Sequence, residues 1–498
     1  MKLLRRIIWV LSLCASVGHA ATVAAGTLLE LRLRQNLSSY SSKQGQEIRA
    51  DLIAPVRVDG HTLLPQGSLL SGTLTEVKRI GWGARHLRAS MRLTFNTIAL
   101  PDGTTHELKT RIASVDNARE TVDKTGKIVG IRATAPMGHR LAGITRNIFI
   151  WDPLLQMVLT GSTAAVLRFP EAEIYFPAGT EMFLALTEPL EVDTTWSTPM
   201  PRITTNPEDR ERLLNLVRGM TFRTIREKNG KPGDFVNVVF LGEPEWVDRA
   251  FTAAGWLHAD KLSKSTGWMS FRAVAEAKPY PNAPMSGMLL DEKPAVFQYT
   301  KALNSYSKRH HLRVFDQADA WNQRPILAAS STQDVAVTFS FSSSRLIHVV
   351  DRNIDNERAK IVNDLAFTGC VDAAELIERP WVPQTTKNYT GEVLETDGAV
   401  AVLEINPCRT PLRTLDPGAP LRVSGGRLQR VGRQVMLTAG NDFTFNNPIY
   451  QAGKGIQFLF RRMLGREDRT QPTRTALIQP SPRSTDIAPA VPVATMPD

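Results

Sequence analysis

His86-Leu87-Arg88-Ala89-Ser90-Met91-Arg92-Leu93-Thr94-Phe95 alternates polar and apolar side chains without a break. Successive side chains of a strand point to opposite faces. The run therefore reads as a strand with its leucines, Met91 and Phe95 in a core and its arginines in water. Leu29, Leu31 and Leu33 alternate with Glu30, Arg32 and Arg34 in the same way. Asp59-Gly60 and Asp102-Gly103 supply hairpin turns. Residues 26–195 thus read as an all-β barrel or sandwich. The exception is 148–167, apolar but interrupted by Asp152, Pro153 and Gln156, which reads as a helical excursion covering the barrel or touching a membrane or partner.

Before this domain, Lys2, Arg5 and Arg6 precede a short apolar run and Gly18-His19-Ala20. That is the pattern of a removed signal peptide over 1–20, and the run is too short to span a bilayer comfortably. Export across the inner membrane of a bacterium follows, to the periplasm or the outer membrane. Past the leader only Cys370 and Cys408 remain. In an oxidising compartment they could pair, adding about 3 kcal/mol through loop closure, or stay as two buried thiols. No CxxC spacing exists for a zinc ribbon or redox site.

After the barrel, Asn206-Pro207-Glu208 starts a helix with Leu213, Leu216, Val217 and Met220 on one face, so 196–233 reads as a helical linker. Residues 234–400 then mix patterns. Phe235 to Leu241 is a buried-type strand, Glu245 to Ala254 an amphipathic helix ended by Gly255, and 355–367 a second helix ended by Gly369. Strand-like runs at 267–275, 294–303, 309–316 and 333–341 complete an α+β or α/β layer structure. A β-rich extension is expected over 401–465. The Pro-, Thr-, Ser- and Arg-rich stretch 466–498 reads as a disordered tail.

The chemistry-bearing residues gather in the second domain. Three of the nine histidines, His310, His311 and His348, fall among Arg309, Arg313, Asp334, Asp351, Asp355, Glu357 and Arg358. Imidazoles and carboxylates at such density can exchange protons or hold a divalent metal. His310, His311, His348 and Asp351 are candidates for acid–base work. Asp334, His348, Asp351 and Asp355 are candidate metal ligands, and Arg309, Arg313 and Arg358 candidate anion binders. Plainer roles compete. His310 shares a strand face with Leu312 and Val314 and would pack, while His311 shares the other with Arg309 and Arg313. Asp355 would cap its helix, and Glu357 and Arg358 would pair at the surface. No nucleophile elbow, HExxH, P-loop or dinucleotide fingerprint occurs, so no cofactor is named by motif.

Two resemblances add to this. Gly26-Thr27, Gln44-Gly45, Leu64-Pro65-Gln66-Gly67-Ser68 with Gly72, Pro101-Asp102-Gly103 and Ala178-Gly179-Thr180 resemble the TrbI-like periplasmic barrel of conjugation and type IV secretion core complexes. Residues 234–400 resemble the LssY C-terminal domain, through Asn237 to Gly242, Ala253-Ala254-Gly255-Trp256, Tyr280-Pro281 with Pro284, Arg309 to Arg313, a Ser331-Thr332-Gln333-Asp334 turn, His348-x-x-Asp351-x-x-x-Asp355-x-Glu357-Arg358 and Thr396-Asp397-Gly398. That family often accompanies membrane-embedded phosphatase-like or DedA-like segments, which implies an envelope or lipid context without naming an activity.

The formal net charge of +11 would draw the chain to anionic surfaces, although the charges are scattered singly. Nucleic-acid binding lacks a motif and is disfavoured by export. Two function classes stay in view. One is a non-enzymatic envelope protein that binds a partner or membrane surface. The other is a periplasmic metal-assisted hydrolase of a phosphorylated or lipid-derived substrate. Oligomeric state is not written in the sequence.

Overall fold

A computed structural model describes residues 21–82, 87–117, 119–131, 171–193, 196, 200–276, 278–301, 308–340, 345–408, 418–433 and 435–436, and the side chains of 274–275, 336–340 and 345–348 lie outside that description. The leader, the excursion at 148–167 and the tail at 466–498 all fall outside the described residues. The protein is mostly β, with a nearly closed N-terminal barrel.

The barrel's main strands are β1 (Leu28–Leu33), β2 (Glu47–Leu52), β3 (Leu69–Lys78), β4 (Ser90–Ala99), β5 (Thr110–Val115) and β6 (Glu181–Leu186). They lie in the order β5-β6-β1-β2-β3-β4, all antiparallel, with short strands flanking β4. Leu29, Leu31, Leu33, Ala89, Met91, Leu93 and Phe95 enter the core that the alternation assigns them, whereas Leu87, assigned to the same face, is exposed at the start of the run. The opposite face of β1 differs from expectation. Glu30 and Arg32 are buried, because the second domain covers that side of the wall.

The second domain centres on a mixed sheet of β7 (Val238–Leu241), β8 (Phe297–Lys301), β9 (Arg309–Trp321), β10 (Arg324–Ser340), β11 (Arg345–Val350), β12 (Val371–Ile377) and β13 (Val400–Ile405). The order is β8-β9-β10-β7-β13-β12, with β11 paired to β10 and only β7 and β13 running parallel. Helices cover both faces. Helix α1 (Pro207–Gly219) sets Leu213 and Val217 against Val239, Leu241, Val400 and Val402. Helices α2 (Pro244–Ala253) and α4 (Asp355–Phe367) pack Val247, Phe251, Ile361 and Leu365 against Val238, Phe240, Leu312 and Val314. A strand buried on both faces needs the continuous apolar run seen in β7.

Several expected boundaries move. The segment 196–233 is more than a linker, since α1 is part of the second core and Arg223–Arg226 pairs with Met288–Leu290. The run 267–275 lies in helix α3 (Lys264–Ala275) instead of a strand. The Ser263 hydroxyl accepts from the Thr266 N–H at its start, and Arg272 pairs with Glu276 one turn apart at its end. The described part of 401–465 finishes β13 and is then helical at 427–433 and 435–436, with no further strand among the described residues. Cys370, just before β12, is joined by a disulfide to Cys408, just after β13, and the bond ties the ends of two paired strands.

Candidate functional site at the domain junction

Strand β9 places His310 and His311 on opposite faces. His310 pairs with Gln333 across β10, His311 with Thr332 and Arg309 with Asp334, so Ser331 to Asp334 is ladder and not turn.

His310 is 2% exposed and lies against Trp256, 6.0 Å between ring centres. Its Nδ1 meets Glu357 of α4 at 2.7 Å, and its Nε2 meets Asp116 at 2.8 Å. Asp116 follows β5 and so belongs to the barrel. Lys308 reaches the same Asp116 carboxylate at 2.8 Å, and Gln333 donates to it at 3.1 Å. Burial disfavours a charged ring, but the Glu357 and Asp116 carboxylates outweigh it and raise the His310 pKa to about 9. His310 is therefore an imidazolium at neutral pH, with both nitrogens engaged.

On the other face His311 Nε2 lies 2.7 Å from Asp334, and Arg309 donates to the same carboxylate at 3.2 Å. Burial, aided by Arg309 and Arg313, lowers the His311 pKa against the pull of Asp334. Arg313 faces Asp234 at 3.4 Å. Asp351 is buried at the approach to α4, accepting from Asn353 N–H and the Asn356 amide. Asp355 does not cap that helix. The capping position is Ile354, and the Asp355 carboxylate instead accepts from Thr396, from Asp397 N–H and from Arg358. Burial raises its pKa despite Arg358. Glu357 and Arg358 are not at the surface, since Glu357 holds His310 and Arg358 forks onto Asp397 at 2.8 and 2.7 Å. His348 stands opposite Val337 in the β10–β11 ladder, and its side chain lies outside the description. Among the described residues no three His, Cys, Asp or Glu side chains are grouped to hold a metal ion.

A second buried network, beside the first, joins the same two domains. Arg32 of β1 reaches Glu181 of β6 and Asp364 of α4, both at 2.7 Å. Lys301 of β8 bridges Glu181 at 2.8 Å and Asp364 at 2.9 Å. Lys360 contacts Glu181 at 2.7 Å and also pairs with Asp364. The Trp256 indole N–H completes the shell on Asp364 at 2.9 Å. Burial works against both carboxylates, yet the surrounding cations hold Asp364 and Glu181 well below the usual carboxylate range. With buried Glu30 close by, three cations face three anions. Gln66 of the barrel also donates to the Asn363 carbonyl at 2.8 Å.

Sequence reading missed Asp116, Arg32, Glu181, Lys301, Lys360 and Asp364. One local signal was available: Lys360 and Asp364 stand one turn apart on a helix whose Ile361 and Leu365 point inward. The barrel members carry no local signal, because only the docked second domain makes their face an interior. A groove of about 780 Å³ lies elsewhere, between Arg34, Asn36 and Arg49 of the barrel and residues 418–422. No helix among the described residues is long and apolar enough to cross a membrane.

No curated protein matches the chain. Among solved structures, ComB10 of the Com type IV secretion system of Helicobacter pylori is similar at 10% identity and a TM-score of 0.20, covering 35% of this chain and 93% of that one. Residues 217–400 match the family model of the LssY C-terminus, and this LssY-type domain supplies every member of both buried networks that the barrel does not.

Proposed function

We propose that the chain is a bacterial cell-envelope protein that binds or scaffolds, with the barrel and the LssY-type domain held in fixed relation by buried ion pairs. The observation that carries this is His310. A general acid or base must pass its proton to a substrate, and a metal ligand must offer a lone pair. A buried imidazolium with carboxylates from two domains on its two nitrogens has neither to spare. His311, Arg309, Arg313 and Arg358 are likewise committed to carboxylates within the fold. The leader-like 1–20 and the Cys370–Cys408 bond support an exported chain in an oxidising compartment.

Metal analysis and phosphoester assays on wild type, His310→Gln and His348→Ala test the reading. Wild type is expected to hold no stoichiometric divalent metal and to turn nothing over, and His310→Gln to lower the unfolding midpoint. Stoichiometric metal lost in His348→Ala, or turnover lost in a variant of wild-type stability, would overturn it in favour of a hydrolase.

A further inference from the structure

The helical residues 427–433 and 435–436 lie against the barrel with one side fixed and one side bare. On the fixed side the Tyr40 hydroxyl meets Gln429 at 3.2 Å. Arg433 is buried, donates to the Gly81 carbonyl at 2.9 Å and bridges Glu171 and Glu173 at 2.8 and 3.2 Å. Gly432 presses so closely on Trp82 that a Cβ there would sit 2.3 Å from the ring. On the bare side Leu428 is 86% exposed, Val431 53%, Val435 62% and Met436 47%, and Trp82 beside them is 56% exposed. Positions 428, 431 and 435 form one stripe at helical spacing. Arg422, Arg427 and Arg430 are exposed along the same segment, and no acidic residue occurs between Asp416 and Asp442.

We infer that this face docks on an anionic phospholipid surface, with the helix lying in the plane of the headgroups. Apolar side chains on one side, arginines beside them and a tryptophan at the edge are what an interfacial helix requires. The indole has an apolar body and a polar N–H suited to the headgroup level. Arginine stems can lie along apolar surface while their heads reach phosphate. A protein partner fits less well. Five apolar side chains fall short of the roughly 20–30 residues a side of a stable protein interface, and they lack an acidic complement. The inference goes beyond the envelope reading, which would survive its failure, because envelope location needs no lipid contact by this helix.

The test is flotation of the full chain with phosphatidylcholine vesicles, with and without phosphatidylglycerol, at low and high salt. Binding is expected only to the anionic vesicles, weakened by salt. It should fall about tenfold in Leu428→Glu/Val431→Glu and also in Arg427→Glu/Arg430→Glu, since interfacial affinity sums apolar area and charge. All four side chains are exposed, and the Arg433 anchor is kept. Should the apolar double variant fail to fold, the arginine pair alone decides. The inference is overturned by absent flotation, or by flotation that a folded apolar double variant leaves unchanged. It is also overturned if that variant splits a dimer in sedimentation, or if crosslinking seats residues 437–498 of the same chain on the stripe.

Discussion

His310 is charged by its neighbours and in turn cancels their charge. Its folded pKa of about 9 stands above the ordinary value of 6.5, so its stabilisation is fully present below about pH 6.5 and is lost as pH rises through about 9. At about 1.4 kcal/mol for each pH unit between those values, the loss is on the order of 3 kcal/mol. Other groups act lower: burial raises Glu120 to about 7, which costs stability between roughly pH 4.5 and 7. The lowered His311 costs stability on acidification below its ordinary value. Urea unfolding between pH 7 and 9.5 should therefore show a decline that His310→Gln flattens. An unchanged slope in that variant would remove His310 as its source. Asp364 gives a second expectation. Replacing it by Asn leaves Arg32, Lys301 and Lys360 facing only Glu181 and Glu30, and a broken buried pair typically costs about 3–5 kcal/mol. Adding Lys301→Met should recover part of that in a double-mutant cycle.

Among the elements, the barrel wall is most exacting where β3 crosses β4. A Cβ on Gly72 would sit 2.1 Å from the Thr94 carbonyl oxygen, which is backbone and cannot swing away. Gly72→Ala should cost about 1–3 kcal/mol or more, read as a fall in thermal midpoint, whereas Gly103→Ala meets open space and pays only for its turn conformation. In the second domain, Cys370→Ser/Cys408→Ser opens a bond spanning 38 positions and should cost about 3–4 kcal/mol. The elements themselves were largely legible. Period-two alternation named β1 and β4, the unbroken apolar run named β7, and Gly255 and Gly369 marked the ends of α2 and α4. Helix α3 was not legible by periodicity, because Trp268 and Met269 stay exposed and its start rests on the Ser263–Thr266 cap. The candidate site was legible only as a cluster. His310, Glu357 and Arg358 were found, but their partners Asp116 and Asp397 lie 194 and 39 positions away.

At the scale of the whole molecule, two networks of buried charge cross one junction, one around Asp116 and one around Glu181. Cleavage of the full chain within 194–206 should leave the barrel and the LssY-type domain co-eluting in gel filtration at pH 7. The cut Asp116→Asn/Glu181→Gln/Arg433→Gln protein, which also loses the Arg433 ties to Glu171 and Glu173, should separate into two species. Separation of the cut wild type at that pH would show that these contacts do not hold the domains together.

Arg32 and Glu181 sit on the barrel, while Lys301, Lys360 and Asp364 sit across from them, and each of the five has an ion-pair partner on the opposite side. The joint therefore works as a matched key and lock that must be inherited as a set. A hybrid grafting this barrel onto a related module with apolar residues at 301, 360 and 364 would strand ions in a dry seam. Domain shuffling here should succeed only when both halves of the code travel together.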